Sequence, residues 1–407
     1  MKYLVLSKRH DTDEDPFMEP VSAGGDHEPQ LPFTGRSQEL RDHEAADLRR
    51  NPEIADVVPS MPFTLIEPTG EAADSAAAQT LWGLEAIGAT TSHRDGHGVK
   101  VAILDTGIDS SHPAFAGLRL EDNLMDFTVN EKGVAGSAPD THGHGTHVAG
   151  TLFGRPVDGR RIGVAPGVTD VLIGKVLGPQ GGTTEALFEA IDWALRERAD
   201  VISMSLSLNF KRAVDRYMQQ EGYPQDIATF RALDDYRTNI RLFDRLAALV
   251  ATRVAQGRGA LLVAASGNQS RRHEDPRLTV PVANPGAGDG FISVGAVSSG
   301  QKRDAPFAVA RFSNTGCVLA APGVAILSAK LGGGLKPDSG TSMATPHVAG
   351  VIALWTQERF PEGKRPKGWA KVVQQAVERH VSPTPGQTWQ DVGMGVVRAP
   401  QREKDPG

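Results

Sequence analysis

Residues 101–109 read VAILDTGID, and this stretch indicates the architecture of the chain. Val101–Leu104 are apolar on both faces of an extended chain, as in a strand that is buried in a parallel sheet. The apolar run ends on Asp105 and is followed by Gly107, which is typical of a strand that passes into a turn. We therefore expect a buried strand that brings a carboxylate to one edge of a sheet.

Similar short apolar runs, rich in Val, Ile and Leu, recur along the chain and are separated by helical patterns, such as residues 184–198. Strand and helix in alternation predict an α/β fold with a doubly wound, mostly parallel sheet and helices on both faces. The predicted strands are residues 99–105, 171–177, 200–205, 260–266 and 291–297.

A longer helix is predicted over about residues 226–256, with Asp226 as its N-cap and Gly257 as its terminator. Its apolar residues step by three or four, so we expect them to form one packed face. They are Ile227, Phe230, Leu233, Tyr236, Ile240, Phe243, Leu246, Val250 and Val254.

Composition narrows the classes of function. The chain has 407 residues and a formal net charge of −6, which argues against a nucleic-acid binder with a basic face. No apolar run reaches the roughly 18 residues of a membrane helix, and the start, MKYLVLSKRH, lacks the apolar core of a secretory signal. The single cysteine, Cys317, excludes an intramolecular disulfide and fits a reducing compartment. We therefore expect a cytoplasmic protein with no membrane or nucleic-acid partner.

Two further segments contain residue types that are used in nucleophilic catalysis. His144 lies in DTHGHGTHVAG, residues 140–150, and Ser342 lies in GTSMATPHVAG, residues 340–350; each follows a glycine turn and opens a helical pattern. A serine hydroxyl needs an imidazole to accept its proton, and the imidazole needs a carboxylate such as Asp105 to orient it. In parallel α/β sheets such groups gather where strands end and helices begin.

In the order Asp, His, Ser, these segments resemble the subtilisin-like serine proteases, or subtilases. The resemblance extends from about Trp82 to Val397. It implies a serine endopeptidase that cleaves peptide bonds of protein or peptide substrates through an acyl-enzyme on Ser342. Asp105 would orient His144, and His144 would act as general base and then as general acid. Asn268, in VAASGNQS, matches the oxyanion-hole asparagine of the family.

The resemblance also implies two substrate-binding walls, one at KVLGPQGG (residues 175–182) and one at residues 205–207, with residues 264–267 and 283–285 completing a side-chain pocket. Ser207 stands where the family usually has glycine, which leaves the depth and polarity of that pocket open. The expected substrate-binding residues are Lys175, Leu177, Gly178, Ser205, Leu206, Ser207, Ala265 and Gly267.

The chain departs from the family in two regions. An insertion of about residues 208–259 contains the long helix and either restricts the cleft, docks a partner or forms plain surface. Residues 1–66 resemble the inhibitory prodomain of the family and form a small α+β appendage, with strands at residues 3–6 and 63–66 and a helix near residues 37–50. A linker (67–79), the peptidase domain (80–400) and a tail (401–407) would follow, and the N-terminal region would inhibit the active site in cis.

No cofactor is expected, and we assign no metal ligands. His142, His144 and His147 lack the HExxH arrangement of a metalloprotease zinc site. No Asp/Asn-rich loop has the calcium-ligand spacing of an EF-hand, so a structural calcium ion is implied by the resemblance alone. Two alternative functions stay open. One is a dedicated precursor-maturation protease or peptide cyclase, in which an amine captures the acyl-enzyme. The other is an inactive peptide-binding module.

Overall fold

We describe the protein from a computed structural model, which places residues 1–9, 31–69, 81–120, 122–302 and 305–402. Most of the linker predicted at residues 67–79 and of the tail at residues 401–407 lies outside these described residues.

The N-terminal body consists of a three-stranded antiparallel sheet and one helix, α1. β1 lies between β2 and β3. The helix predicted near residues 37–50 is shorter than expected, because residues 37–39 pair with β1 and α1 begins after Arg41. There the Glu44 carboxylate accepts a hydrogen bond from the Arg41 backbone N–H at 2.8 Å. The elements are β1 (Lys2–Lys8), β2 (Phe33–Glu39), α1 (Asp42–Leu48) and β3 (Ile54–Pro59).

A strand of four residues, β4 (Pro62–Leu65), leaves this body and enters a second sheet. It lies between β9 (Gly182–Thr183) and β11 (Leu206–Leu208) and is antiparallel to both. The chain's own residues 62–65 are thus held as the central strand between two segments of the main domain. We call β4 the cleft strand.

The main domain is built on an eleven-stranded sheet whose central strands are parallel. The strands are β5 (Lys100–Asp105), β6 (Leu124–Asp126), β7 (Val134–Ala135), β8 (Asp170–Lys175), β10 (Val201–Met204), β12 (Leu261–Ala265), β13 (Phe291–Lys302), β14 (Ala305–Val309), β15 (Leu319–Pro322), β18 (Val381–Ser382) and β19 (Val396–Val397). Their order is β18-β19-β15-β13-β12-β10-β5-β8-β6-β7, with β14 paired to β13. All five predicted strands are present, and the predicted fold class is confirmed.

Helices cover both faces of this sheet, and β5 has apolar residues that pack on each face. Val101 and Ile103 pack into the core cluster on one face, while Ala102 and Leu104 pack into the cluster on the other face. This explains why the strand is apolar at every position. A hairpin of β16 (Ile326–Ala329) and β17 (Leu335–Asp338) precedes α7. The helices of the main domain, apart from the insertion, are α2 (Trp82–Ala86), α3 (His144–Phe153), α4 (Thr184–Arg196), α7 (Thr341–Arg359), α8 (Trp369–Arg379) and α9 (Trp389–Val392).

The insertion forms two helices, α5 (Phe210–Gln220) and α6 (Gln225–Ala255). The bounds of α6 match the predicted helix within one residue, but its predicted packed face is wrong in the first half. Ile227, Phe230 and Leu233 are exposed by 43%, 70% and 44% of their residue surface. The face that is buried instead includes the polar residues Asp235 and Asn239, because it packs on α5 and on the N-terminal body.

Candidate active site

Asp105 and His144 form a buried pair at the edge of the large sheet. Asp105 is the last residue of β5, and His144 is the first residue of α3, which follows Gly143 in a left-handed conformation at φ 94°. His144 Nδ1 lies 2.7 Å from Asp105 Oδ1. Burial by itself lowers the pKa of His144, but the charge and hydrogen bond of Asp105, together with the charges of Asp338 and Asp140, outweigh burial, so the pKa lies above its ordinary value. The imidazolium form of His144 is therefore stabilised.

Ser342 is the second residue of α7 and is fully buried. Its Oγ donates a hydrogen bond to the carbonyl oxygen of Ile66 at 3.1 Å, and Ile66 directly follows the cleft strand. His144 Nε2 is buried and has no hydrogen-bond partner among the described residues. The hydroxyl proton is thus directed to a peptide carbonyl of the chain itself rather than to the imidazole.

The Asn268 side chain also faces this peptide. Its Nδ2 donates to the carbonyl oxygen of Glu67 at 2.9 Å. Its Oδ1 accepts from the backbone N–H and the hydroxyl of Thr341, both at 2.9 Å. Because Oδ1 is held in this way, the amide group can only point into the cleft. Sequence reasoning missed Thr341, although it stands next to Ser342 in the quoted motif.

The two predicted walls hold the cleft strand through backbone pairing. Leu206 is opposite Leu65 and Ser207 is opposite Thr64 on one side, and Gly182 is opposite Phe63 on the other.

Close approach at the second wall requires glycine at the neighbouring position. A Cβ on Gly181, which has φ 79°, would lie 2.3 Å from the Phe63 carbonyl oxygen. The main-chain groups of these walls therefore bind an extended peptide with little demand on its sequence.

The other predicted substrate-binding residues have no strand-pairing partner in the cleft strand. Lys175 is buried, and its Nζ donates to the Pro139 carbonyl at 2.6 Å. Ser205 Oγ lies 3.4 Å from the Ser342 carbonyl oxygen, and the Gly267 N–H donates to Thr341 Oγ1 at 3.1 Å. Leu177 and Ala265 are buried, and Gly178 closes a tight turn by bonding with Gly181. These contacts give the residues a supporting position around the cleft.

The helical insertion contributes to the cleft, which is compatible with one of the alternatives that the sequence left open, although the sequence did not identify the residues involved. The Phe63 ring is buried and packs edge-on against Phe243 of α6, with ring centroids 5.9 Å apart. Phe243 in turn packs edge-on against Phe291 at 6.4 Å. The pocket that holds Phe63 is thus partly formed by α6.

His147, one turn after His144, has a structural position. Its Nε2 lies 3.0 Å from the Ile326 carbonyl oxygen and 3.2 Å from that of Lys336. Burial lowers its pKa to about 4, so the ring is neutral near pH 7. Within the part of the chain that the structure describes, no three His, Cys, Asp or Glu side chains are grouped to hold a metal ion.

Comparison with known proteins agrees with this geometry. A sequence profile described as "Subtilase family" matches residues 96–395. The chain belongs to the subtilase family.

The relatives of this subtilase include intracellular enzymes. It is 33% identical to "Intracellular serine protease" of Paenibacillus polymyxa over 71% of this chain and 77% of that protein. It is 32% identical to "Major intracellular serine protease" of Bacillus subtilis (strain 168), over 70% and 76% of the two chains. It is 30% identical to "Subtilisin E" of the same species, over 81% and 73%. The chain is therefore a subtilisin-like serine endopeptidase.

No helix within the described residues is long and apolar enough to cross a membrane.

Proposed function

We propose that Asp105, His144 and Ser342 are the catalytic triad of this endopeptidase and that Asn268 is its oxyanion-hole side chain. One observation carries the assignment: an extended peptide lies between the two walls with its Ile66 carbonyl on Ser342 Oγ. The nucleophile is thus in contact with the functional group that it would attack.

In the proposed reaction, Ser342 Oγ bonds to the carbonyl carbon of a substrate while His144 Nε2 takes the hydroxyl proton. Asp105 stabilises the resulting imidazolium through Nδ1. The Asn268 amide and the Ser342 backbone N–H donate to the oxyanion. His144 then gives its proton to the leaving amine as the peptide bond breaks, and water hydrolyses the acyl-enzyme by the reverse sequence of proton transfers.

We also propose that the N-terminal region inhibits this site in cis. Support comes from the cleft strand, which takes the place of a substrate between the walls. Ser342 and Asn268 hold two successive carbonyls, those of Ile66 and Glu67, so neither carbonyl has the nucleophile and the amide donor together. This arrangement favours occupancy of the cleft over rapid self-cleavage.

The proposed substrates are extended segments of proteins and peptides, bound mainly through their backbones. The names of two relatives contain the word intracellular, and on this ground we propose that the enzyme acts in the cytoplasm. Fractionation of the source cells with an antibody to the chain tests the location, and recovery mainly from the medium would contradict it.

The triad assignment is tested with a serine-reactive phosphonate and the full chain. We expect one phosphonate per chain on Ser342, located by peptide mass spectrometry, and no adduct on the Ser342→Ala variant. Ser293→Ala is the matched control, since this serine of β13 is similarly buried and its Oγ accepts from the Val318 N–H rather than facing the site. An adduct that persists on Ser342→Ala would refute the assignment. The intact mass recorded alongside reports whether residues 1–66 have been removed.

A further inference from the structure

The helical insertion makes a continuous set of polar contacts with the N-terminal body. Arg216 NH1 donates to the Ser60 carbonyl at 2.8 Å, and Asn239 Nδ2 donates to the Pro59 carbonyl at 2.9 Å. Arg231 pairs with Asp42 at 2.6 Å. Further along α6, Arg245 forms an ion pair with Asp56 of β3. Contacts from both α5 and α6 thus reach the chain just before the cleft strand.

Arg216 is held in place from behind by two buried groups. The Asp235 carboxylate accepts from the Tyr217 hydroxyl at 2.8 Å and from Arg216 NH2 at 3.1 Å. Tyr217 and Asp235 are exposed by only 2% and 7%. One arm of the guanidinium is therefore fixed within the insertion, while the other bonds the backbone of Ser60.

The Asn239 side chain connects the insertion to helix α4. It is fully buried, and its Oδ1 accepts from Thr184 Oγ1 of α4 at 2.7 Å. Thr184 also bonds Met61 of the chain entering the cleft, through the Met61 N–H at 3.0 Å. A polar group buried at this depth is costly unless its partners are present. The insertion and α4 together are thus complementary to the backbone of residues 59–61.

We propose that the insertion of residues 209–259 is a docking surface for the chain's own N-terminal body and that it keeps the cleft strand in place. This role rests on the proposed cis inhibition. Release of the body would leave Arg216, Asn239 and Arg231 without these partners. The insertion therefore sets how often the cleft opens to other substrates.

The test measures the rate at which the phosphonate labels the full chain. We expect Arg216→Ala to be labelled at least about tenfold faster than wild type. In this variant the cleft strand can leave the cleft without breaking the hydrogen bond between Arg216 and the Ser60 carbonyl. Lys211→Ala is the control on the same helix, because Lys211 pairs, among the described residues, only with Asp215 of α5 on an exposed face. Equal rates for Arg216→Ala, Lys211→Ala and wild type would overturn the proposal.

A charge swap tests the same surface at an ion pair whose own two side chains are exposed. Arg231→Asp and Asp42→Arg should each raise the labelling rate a few-fold, and the double variant should return it towards the wild-type rate. Additive increases in the double variant would contradict direct docking. The two proposals fail separately: an adduct on Ser342→Ala refutes the triad, whereas unchanged rates in the presence of correct labelling refute only the docking role.

A second, independent observation concerns Asp140, a buried carboxylate that accepts five hydrogen bonds. Its Oδ1 accepts from Thr106 Oγ1 at 2.9 Å, from the His142 N–H at 2.9 Å and from the Gly143 N–H at 2.8 Å. Its Oδ2 accepts from the Thr146 N–H at 2.9 Å and from the Thr146 hydroxyl at 2.6 Å.

These donors lie on both catalytic segments. Thr106 follows Asp105, and it also accepts from the Gly145 N–H at 2.9 Å. Gly143 and Gly145 flank His144 on either side. Asp140 also supplies the first turn of α3 with the carboxylate that Gly143 cannot provide.

We infer that Asp140 is a positioning residue that sets the contact between Asp105 and His144 and adds negative charge beside the imidazole. The inference rests on the proposed triad. Asp140→Asn keeps the shape but replaces an acceptor with a donor, so at least one of these bonds is lost. We expect kcat for a chromogenic peptide to fall about 10- to 100-fold with little change in KM, and the acidic limb of the pH profile to move to lower pH.

Asp200→Asn is the matched control, because Asp200 is equally buried and accepts from Arg365 and Lys100 at the start of β10, away from the site. It should lose stability but keep kcat and the acidic limb. Thr106→Val should reproduce the Asp140→Asn effect if the latter fails to fold, and Thr106→Ser should restore activity. An unchanged acidic limb and kcat within about twofold in Asp140→Asn would overturn the inference, even when Ser342 is labelled normally.

Discussion

The catalytic cleft and the helical insertion both rely on buried polar groups, but they differ in what the sequence reveals about them. In the cleft, Asp105, His144 and Ser342 each stand at a strand end or helix start, within segments marked by glycine. In the insertion, Asp235 and Asn239 lie in the middle of a long helix with no motif around them. Side chains that act on any substrate are positioned by turns at strand ends and helix starts, and these turns leave a pattern in the sequence. Side chains that bind one partner need only a surface that complements this partner, so no local pattern marks them.

The largest expected effect is in the cleft. Asp105→Asn should lower kcat by about 10⁴ because the amide no longer stabilises the imidazolium or fixes the tautomer of His144. The effect is measured by hydrolysis of a chromogenic peptide, with the amount of folded protein set by circular dichroism. Asp192→Asn on α4, a buried carboxylate that contacts the N-terminal segment at Leu31, serves as the control. A loss below about tenfold in Asp105→Asn would show that the pair is not part of the reaction.

Much of the fold, and membership of the subtilase family, could be predicted from the sequence. Doubly apolar strands such as β5 are unmistakable because both faces are buried, and the three motifs lie at the element ends that carry the proposed triad. The bounds of α6 were also predicted, because its helical period extends over its whole length.

The buried face of α6 could not be predicted in the same way. Its first half carries apolar residues on one face and Ala228, Ala232, Asp235 and Asn239 on another. Which face is buried depends on α5 and on the N-terminal body, which meets α6 from more than 150 residues away in sequence, as in the Asn239–Pro59 contact with a separation of 180. Hydrophobic period alone would bury Phe230, which is 70% exposed. Long-range polar complementarity is invisible to a local pattern.

The next effect in size lies where the two regions meet, at Phe63. Phe63→Ala removes a buried ring from the pocket formed with Phe243, a change that costs about 3–5 kcal/mol at buried sites. We expect the cleft strand to leave its place more often and the phosphonate to label Ser342 at least about tenfold faster. Thr64→Ala is the control because that side chain is only partly buried. An unchanged rate in Phe63→Ala would mean that α6 does not contribute to occupancy of the cleft.

The smallest expected effect concerns the charge of Asp235 and sharpens the contrast with His144. The pKa of His144 is raised because Asp105 and the nearby carboxylates together outweigh burial, whereas burial is the main cause that raises the pKa of Asp235, to about 6 from 3.8. The groups that face Asp235 are Arg216 and Tyr217 of α5, Tyr3 of β1, and Asp234 and Arg231 of its own helix. Neither the arginines nor the tyrosines titrate between pH 4 and 6.

The sign of the effect follows from proton linkage. The folded state holds the Asp235 proton more tightly than the unfolded state, so this residue's contribution to stability decreases as the pH rises from about 4 to 6. Two pKa units correspond to about 3 kcal/mol. The measurement is urea unfolding of the Ser342→Ala protein, which cannot cleave itself. As the pH rises from about 4 to 6, its free energy of unfolding should fall by that amount relative to a Ser342→Ala protein that also carries Asp235→Asn. The difference should be constant above pH about 6.5, because Asp235 is then ionised in both states. A difference in the free energy of unfolding that rises with pH would mean that the ion pair with Arg216, rather than burial, determines the pKa of Asp235. The insertion would then stabilise a charged side chain through an oppositely charged partner, as the proposed catalytic site does.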